Sequence, residues 1–200
     1  EYERDPGSPR AVETMFTLAH NDGDSASADR FLSELKILLP DYTWPILLEI
    51  TQHCDQIERA KELMLRAQAS AATRPVRPAD LNMVRRIHSE QRAGRCPAVQ
   101  AQDIAELAEA LANNPRVHTR TTRLASLIQW AAVSAQSGDF ETAKQALKTA
   151  MPIALASSPG RLHQTTESIG YIAGQITDPD AALGFVNDIT EGFMNSMRGH

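Results

Sequence analysis

The sequence predicts an all-α fold, an α-solenoid of about five antiparallel helical hairpins. Apolar residues recur at i, i+3, i+4 and i+7 along most of the chain, which places them on one face of a helix. Valine and isoleucine never form the alternating runs that a half-buried strand requires. Alanine is abundant and aromatics are few, a composition suited to helices that pack closely. The stretch 138–150 concentrates these features. Gly138-Asp139 closes one helix, and the next places Phe140, Ala143, Leu147 and Ala150 on one face. The small residues let two antiparallel helices approach, with Phe140 and Leu147 filling the seam.

Taken in order, residues 1–8 form a polar tail ending in Ser8, an N-cap followed by Pro9 at the first helical position. Val12, Met15, Phe16 and Ala19 predict a helix to about His20, and Asn21-Asp22-Gly23-Asp24 the turn after it. The second helix places Ala28, Phe31, Leu32, Leu35, Leu38 and Leu39 inward, and Pro40 stops it. Aligning Ala28 with Ala143 superposes Gly23-Asp24 on Gly138-Asp139, so 9–40 is a second copy of the same hairpin.

The hairpin 43–72 begins with Thr43 as a cap, Pro45 in the first turn, and Leu47, Leu48, Ile50 and Thr51 inward. Asp55 and Glu58 have capping-box spacing ahead of a stripe of Ile57, Ala60, Leu63, Met64 and Ala67. Ser70–Pro78 reads as a link to the hairpin 78–114, which uses Leu81, Val84 and Ile87, then Ile104, Leu107, Ala108 and Leu111, with a break at Gly94–Pro97. The hairpin 117–156 holds Leu124, Leu127, Ile128, Ala131 and Ala135 ahead of the 138–150 stretch. A turn at Ser158–Gly160 leads to the last hairpin, 160–197. There Asp178-Pro179 starts a helix with Ala182, Leu183, Val186, Ile189 and Phe193 inward, and Gly170 stands to Ala182 as Ala131 stands to Ala143.

A net charge of −5 argues against a general nucleic-acid binder, for which a basic footprint is expected. No apolar run approaches the roughly 18 residues that cross a bilayer, because Pro40 and Pro45 break the longest candidates. The chain starts at Glu1, which reads as a processed protein or a domain of a longer one, and the lack of a visible signal segment favours the second. Cys54 and Cys96 offer one candidate disulfide, and two free thiols fit the sequence equally.

Catalytic, metal and cofactor sites are not expected. The glycines form no phosphate loop, and His20, His53, His88, His118, His163 and His200 lack metal-ligand spacing. The carboxylate pairs Glu58/Glu62 and Glu106/Glu109 fall on outward helix faces, and no Gly-x-Ser-x-Gly turn activates a serine. Two basic clusters remain, Arg85, Arg86, Arg92 and Arg95, then Arg116, His118, Arg120 and Arg123. Guanidinium groups so gathered suit a carboxylate- or phosphate-bearing partner; pairing with Asp80, Glu90 and Asp103 on a solvated face is the competing reading. Trp44 and Trp130 sit in apolar periodic stretches and are expected in the core rather than at an interface.

The hairpins 124–155 and 9–40, and more weakly 41–74 and 163–196, resemble tetratricopeptide repeats. That resemblance implies a concave first-helix face that binds a protein or peptide partner, without catalytic residues. The carboxylate clamp of one subfamily is absent, since its positions hold Ala125, Ile128, Ala132 and Ala135. The alanine- and arginine-rich degenerate repeats also resemble the soluble C-terminal domains of bacterial polytopic membrane proteins of the oligosaccharide polymerase and O-antigen ligase class. This implies a location on the periplasmic face of the inner membrane, with the glycosyl chemistry in the membrane part. The leading expectation is a non-catalytic interaction scaffold, tethered to rather than spanning the membrane. An accessory domain positioning substrate or acceptor for a glycan enzyme, and a cytoplasmic adaptor or signalling receptor, are the alternatives.

Overall fold

A computed structural model describes residues 7–40, 42–116 and 119–198, and among them the chain is all-helical, with no strand. The helices are α1 (Pro9–Asn21), α2 (Ser25–Leu38), α3 (Trp44–Gln52), α4 (Ile57–Thr73), α5 (Pro78–Arg92), α6 (Ala101–Asn113), α7 (Arg120–Gln136), α8 (Phe140–Leu155), α9 (Pro159–Ala173) and α10 (Pro179–Arg198).

Local chemistry sets the starts and stops. The Ser8 hydroxyl accepts from the Ala11 N–H at 3.2 Å, and the carboxylates of Asp24 and Asp139 accept from Ser27 N–H at 3.1 Å and Thr142 N–H at 3.0 Å. Each satisfies an amide that a helix start leaves without a partner. Gly23, Gly94 and Gly138 have positive φ, and the residue after each donates back to the carbonyl five positions earlier, Ala19, Glu90 and Ser134. The same glycine-terminated stop therefore occurs three times. At 23–24 and 138–139 the aspartate that follows caps the next helix, as the alignment of those two hairpins anticipates.

The most extensive helix pairings are α7 with α8 and α1 with α2, the two hairpins with the strongest repeat resemblance. Elsewhere the pairing departs from simple hairpins. α6 packs more against α4 than against α5, and α10 more against α8 than against α9. The substantial helix contacts among the described residues all join helices one or two places apart in the chain.

Several expected inward positions are corrected. Leu38, the last residue of α2, and Ile57, the first of α4, are 37% and 66% exposed because each lies at a helix end beyond its neighbours. Leu183 is 60% exposed, since α10 turns Phe185 and Ile189 inward instead. Gly170 is exposed, and a Cβ there would meet nothing, so it is no point of close approach; α9 uses Ile169, Ile172 and Ala173. Asp55 caps nothing, because α4 begins one residue later behind Gln56. α4 continues to Thr73, through much of the expected link, and Ser158 caps α9 directly, so Pro159 and Gly160 already lie in its first turn. The side chain of Phe193 lies outside the described residues.

α3 departs furthest from the expected stripe. Every residue from Trp44 to Thr51 is buried, because α2, α4 and α5 surround the helix. The Thr43 hydroxyl, expected to cap α3, bonds Ser70 of α4 at 2.9 Å instead. Glu49 is 3% exposed; its carboxylate meets Lys36 at 2.6 Å and also accepts from Arg59. Burial pushes Glu49 up, but the hydrogen bonds and charges of these two cations outweigh it and hold the carboxyl below its usual range.

Three buried clusters make the core. The first spans α1 to α6 and takes in Val133 of α7; the second joins α7 to α10; the third joins Ala112 of α6 to Leu124, Leu127, Ala150 and Ala154. Trp130 packs against all three, which places it in the core as its apolar context suggests. Trp130→Ala is expected to cost about 3 kcal/mol in urea unfolding through loss of contact and the void left behind. A loss below about 1 kcal/mol would show that the clusters hold together without it.

Asp80 is fully buried in the first turn of α5, where Oδ2 accepts from Arg77 N–H at 2.7 Å and Oδ1 has no partner among the described residues. Burial pushes its carboxyl up to about 6 from the ordinary 3.8, against the opposing pull of the Arg77 N–H and charge. A raised folded value means that the fold favours the protonated acid. Stability from this group is thus fully present below pH 3.8 and is lost as pH rises through about 6. Relative to Asp80→Asn, the protein should lose about 2 kcal/mol between pH 4 and pH 7 in urea titrations. Parallel pH profiles for the two proteins would refute this.

Candidate functional site

Three grooves lie between odd-numbered helices. The first lies among α1, α3 and α5 and is bordered by His20, Gln52, Cys54, Arg86, Glu90 and Arg95. The second lies between α5 and α7, with Arg85, His88, Ser89 and Arg92 facing Gln129 and Ala132. The third lies between α7 and α9, where Ala132 recurs beside Gln164, Glu167 and Tyr171. Ala132 borders both the second groove and the third, whereas Arg85 and Arg86 face different grooves. A fourth cavity, of about 530 Å³, opens among α2, α3 and α4. Its three cations are engaged: Lys36 with Glu49, Arg66 with Glu62 at 3.9 Å, and Arg74 with the Tyr42 carbonyl at 3.3 Å.

The arginines that the sequence groups into two clusters divide among three places. Arg85 and Arg92 share the α5/α7 groove. Arg86 and Arg95 face the first groove, where Arg95 is held by Glu90 at 2.5 Å and 3.1 Å. The competing reading of local pairing holds for that residue; Asp80 and Asp103 serve their own helix starts instead. Arg120 is exposed at the start of α7, and Arg123 donates to the Asn114 carbonyl at 3.3 Å. Arg116 lies in the α6–α7 turn, its backbone N–H donating to Asn114 Oδ1 at 2.6 Å. His118 lies outside the described residues.

In the α5/α7 groove Arg85 Nε donates to Gln129 Oε1 at 2.9 Å. Gln129 is 6% exposed and His88 8%. Burial, with the Arg92 charge beside it, holds the His88 imidazole below its usual range, so it is neutral near pH 7. His20 in the first groove is lowered in the same way, by burial and then by Arg86. Arg85, Ser89 and Arg92 stand at i, i+4 and i+7, a single stripe legible in the sequence. Gln129 carried no such signal, because a lone glutamine in an apolar helix reads as surface until the fold brings α5 against it.

Cys54 and Cys96 are joined in a disulfide across 42 residues. Cys54 lies after α3 and Cys96 after α5, and the Ala98 N–H donates to the Cys54 carbonyl at 3.0 Å beside the bridge. The bond ties the α3–α4 turn to the α5–α6 loop at the edge of the first groove.

No helix of the described residues is long and apolar enough to cross a membrane. Among those residues no group of three His, Cys, Asp or Glu side chains is placed to hold a metal ion. Comparison with known proteins found no family model, no curated protein and no solved structure that matches this chain.

Closing a loop of 42 residues removes about 4 kcal/mol of unfolded-chain entropy. The paired variant Cys54→Ser with Cys96→Ser should therefore melt roughly 10 °C lower than the parent without reductant. Reductant should lower the parent by a similar amount and leave the variant unmoved. An unchanged melting temperature would show that the bridge contributes nothing.

Proposed function

We propose that this chain is a non-catalytic, tetratricopeptide-like solenoid module whose odd-numbered helices receive a protein partner. The three grooves between α1, α3, α5, α7 and α9, two of them sharing Ala132, support this reading. Stacked hairpins leave the first helix of each pair on one side, and successive first helices leave a channel between them. Polar side chains border the channel over small residues such as Ala132, which gives a partner access to both backbone and side-chain groups.

The disulfide supports an oxidising compartment, since such bonds persist outside the reducing cytosol. On this reading the module is the soluble, periplasmic part of a larger bacterial envelope protein and recruits or positions a partner there.

Site-specific photo-cross-linking tests the face. A photoreactive residue at Ala132 should form adducts in native extract, whereas one at Leu65, 60% exposed on α4, should form none above background. Equal labelling from both positions, or labelling from Leu65 alone, would overturn the assignment.

A further inference from the structure

We propose that the α5/α7 groove takes an acidic, extended peptide segment of the partner, with Arg85 and Arg92 holding two carboxylates three residues apart. This rests on the reading of the odd-helix face as the docking face and adds the chemistry of what docks there.

Uncompensated charge comes first. Arg85 and Arg92 have no ion-pair partner among the described residues, and no Asp or Glu borders the groove. Four other cations among the described residues are matched by carboxylates. Lys36 and Arg59 meet Glu49, Lys144 meets Glu141 at 2.7 Å and Asp188 at 2.9 Å, and Arg95 meets Glu90. Neutral His88 adds a hydrogen-bonding edge without a further charge. A groove bordered by two unmatched guanidinium groups favours an anionic occupant over a neutral one.

Preorganisation comes second. Arg85 is tethered at Nε by the buried Gln129, so one of its five donors is used and the terminal nitrogens remain for a carboxylate. Holding the fork in place beforehand reduces the side-chain entropy lost on binding. Ser89 lies between the two arginines on the same stripe and supplies a hydroxyl to the same edge.

Spacing comes third. Seven helical residues separate the Cα atoms of Arg85 and Arg92 by about 10 Å along the axis. An extended segment of polyproline-II type brings every third side chain to one face at intervals of about 9 Å. Acidic residues three apart therefore present their carboxylates at nearly the arginine spacing, each for a paired guanidinium contact.

The test is an NMR titration of the full chain with a blocked, proline-containing peptide that carries two glutamates three residues apart. Its glutamine counterpart and inorganic phosphate serve as further ligands. The glutamate peptide should shift the Gln129 side-chain amide saturably, and the glutamine peptide should not. Arg85→Gln with Arg92→Gln should weaken the glutamate peptide by about tenfold. Arg116→Gln with Arg120→Gln removes the same charge outside the groove and should change affinity by less than about twofold. Equal weakening by the two paired variants would reduce the effect to net charge and overturn the proposal. So would similar binding of the two peptides, or phosphate binding more tightly than the glutamate peptide. If adducts from Ala132 persist while the peptide fails, the acidic preference alone is wrong; if both fail, the docking face is wrong as well.

Discussion

Packing around α7 is the constraint on which the rest of the molecule depends. A helix with one apolar stripe needs one neighbour, but α7 touches α5, α6, α8 and α9. Its buried positions run almost around the axis, from Leu124 and Leu127 to Ala131, Val133 and Ala135, and include the polar Ser126, Gln129 and Ser134. Small residues make this feasible, because alanine and serine let neighbouring backbones approach from several directions without voids. Ser126 returns its hydroxyl to the Thr122 carbonyl, so its burial leaves no orphaned donor. Trp130 fills the space the small residues leave, and through it all three buried clusters meet.

The same crowding explains why the candidate site lies where it does. α5 belongs to the first cluster, which continues unbroken from α1 to α6 and is cross-tied by the Cys54–Cys96 bond. α7 belongs to all three clusters. The groove between them therefore runs along a seam between two well-anchored walls, and Val133 reaching into the first cluster fixes their separation. Arg85 of α5 reaches Gln129 of α7 across that seam.

Where the sequence was legible, local chemistry and tertiary packing agreed. In 9–40 and 124–155 the glycine stop, the aspartate cap and the alanine seam all specify the same hairpin, and the structure forms both. Where they disagreed, long-range packing won. The stripe of α3 looked one-sided in periodicity, yet the helix is surrounded, and even Glu49 is enclosed because Lys36 and Arg59 come to it from α2 and α4. α10 placed Leu183 outward as it leans more on α8 than on its sequence neighbour α9, a choice no local period encodes. The arginines were visible as residues but not as groups. Arg85 and Arg86 are adjacent in sequence and so point about 100° apart on a helix, into different grooves.

That divergence separates structural from available charge. Arg95 answers Glu90 within the α5–α6 turn, and Lys144 joins α8 to α10 through Asp188; each such pair fixes a turn or a helix contact. Exposed pairs of this kind contribute little to stability, so they serve to set geometry more than to hold the fold together. Burial and the close fit around α7 carry the stability instead. The fold therefore has no need of Arg85 and Arg92 as ion-pair partners. Their charge is left facing the α5/α7 groove, beside the amide of Gln129.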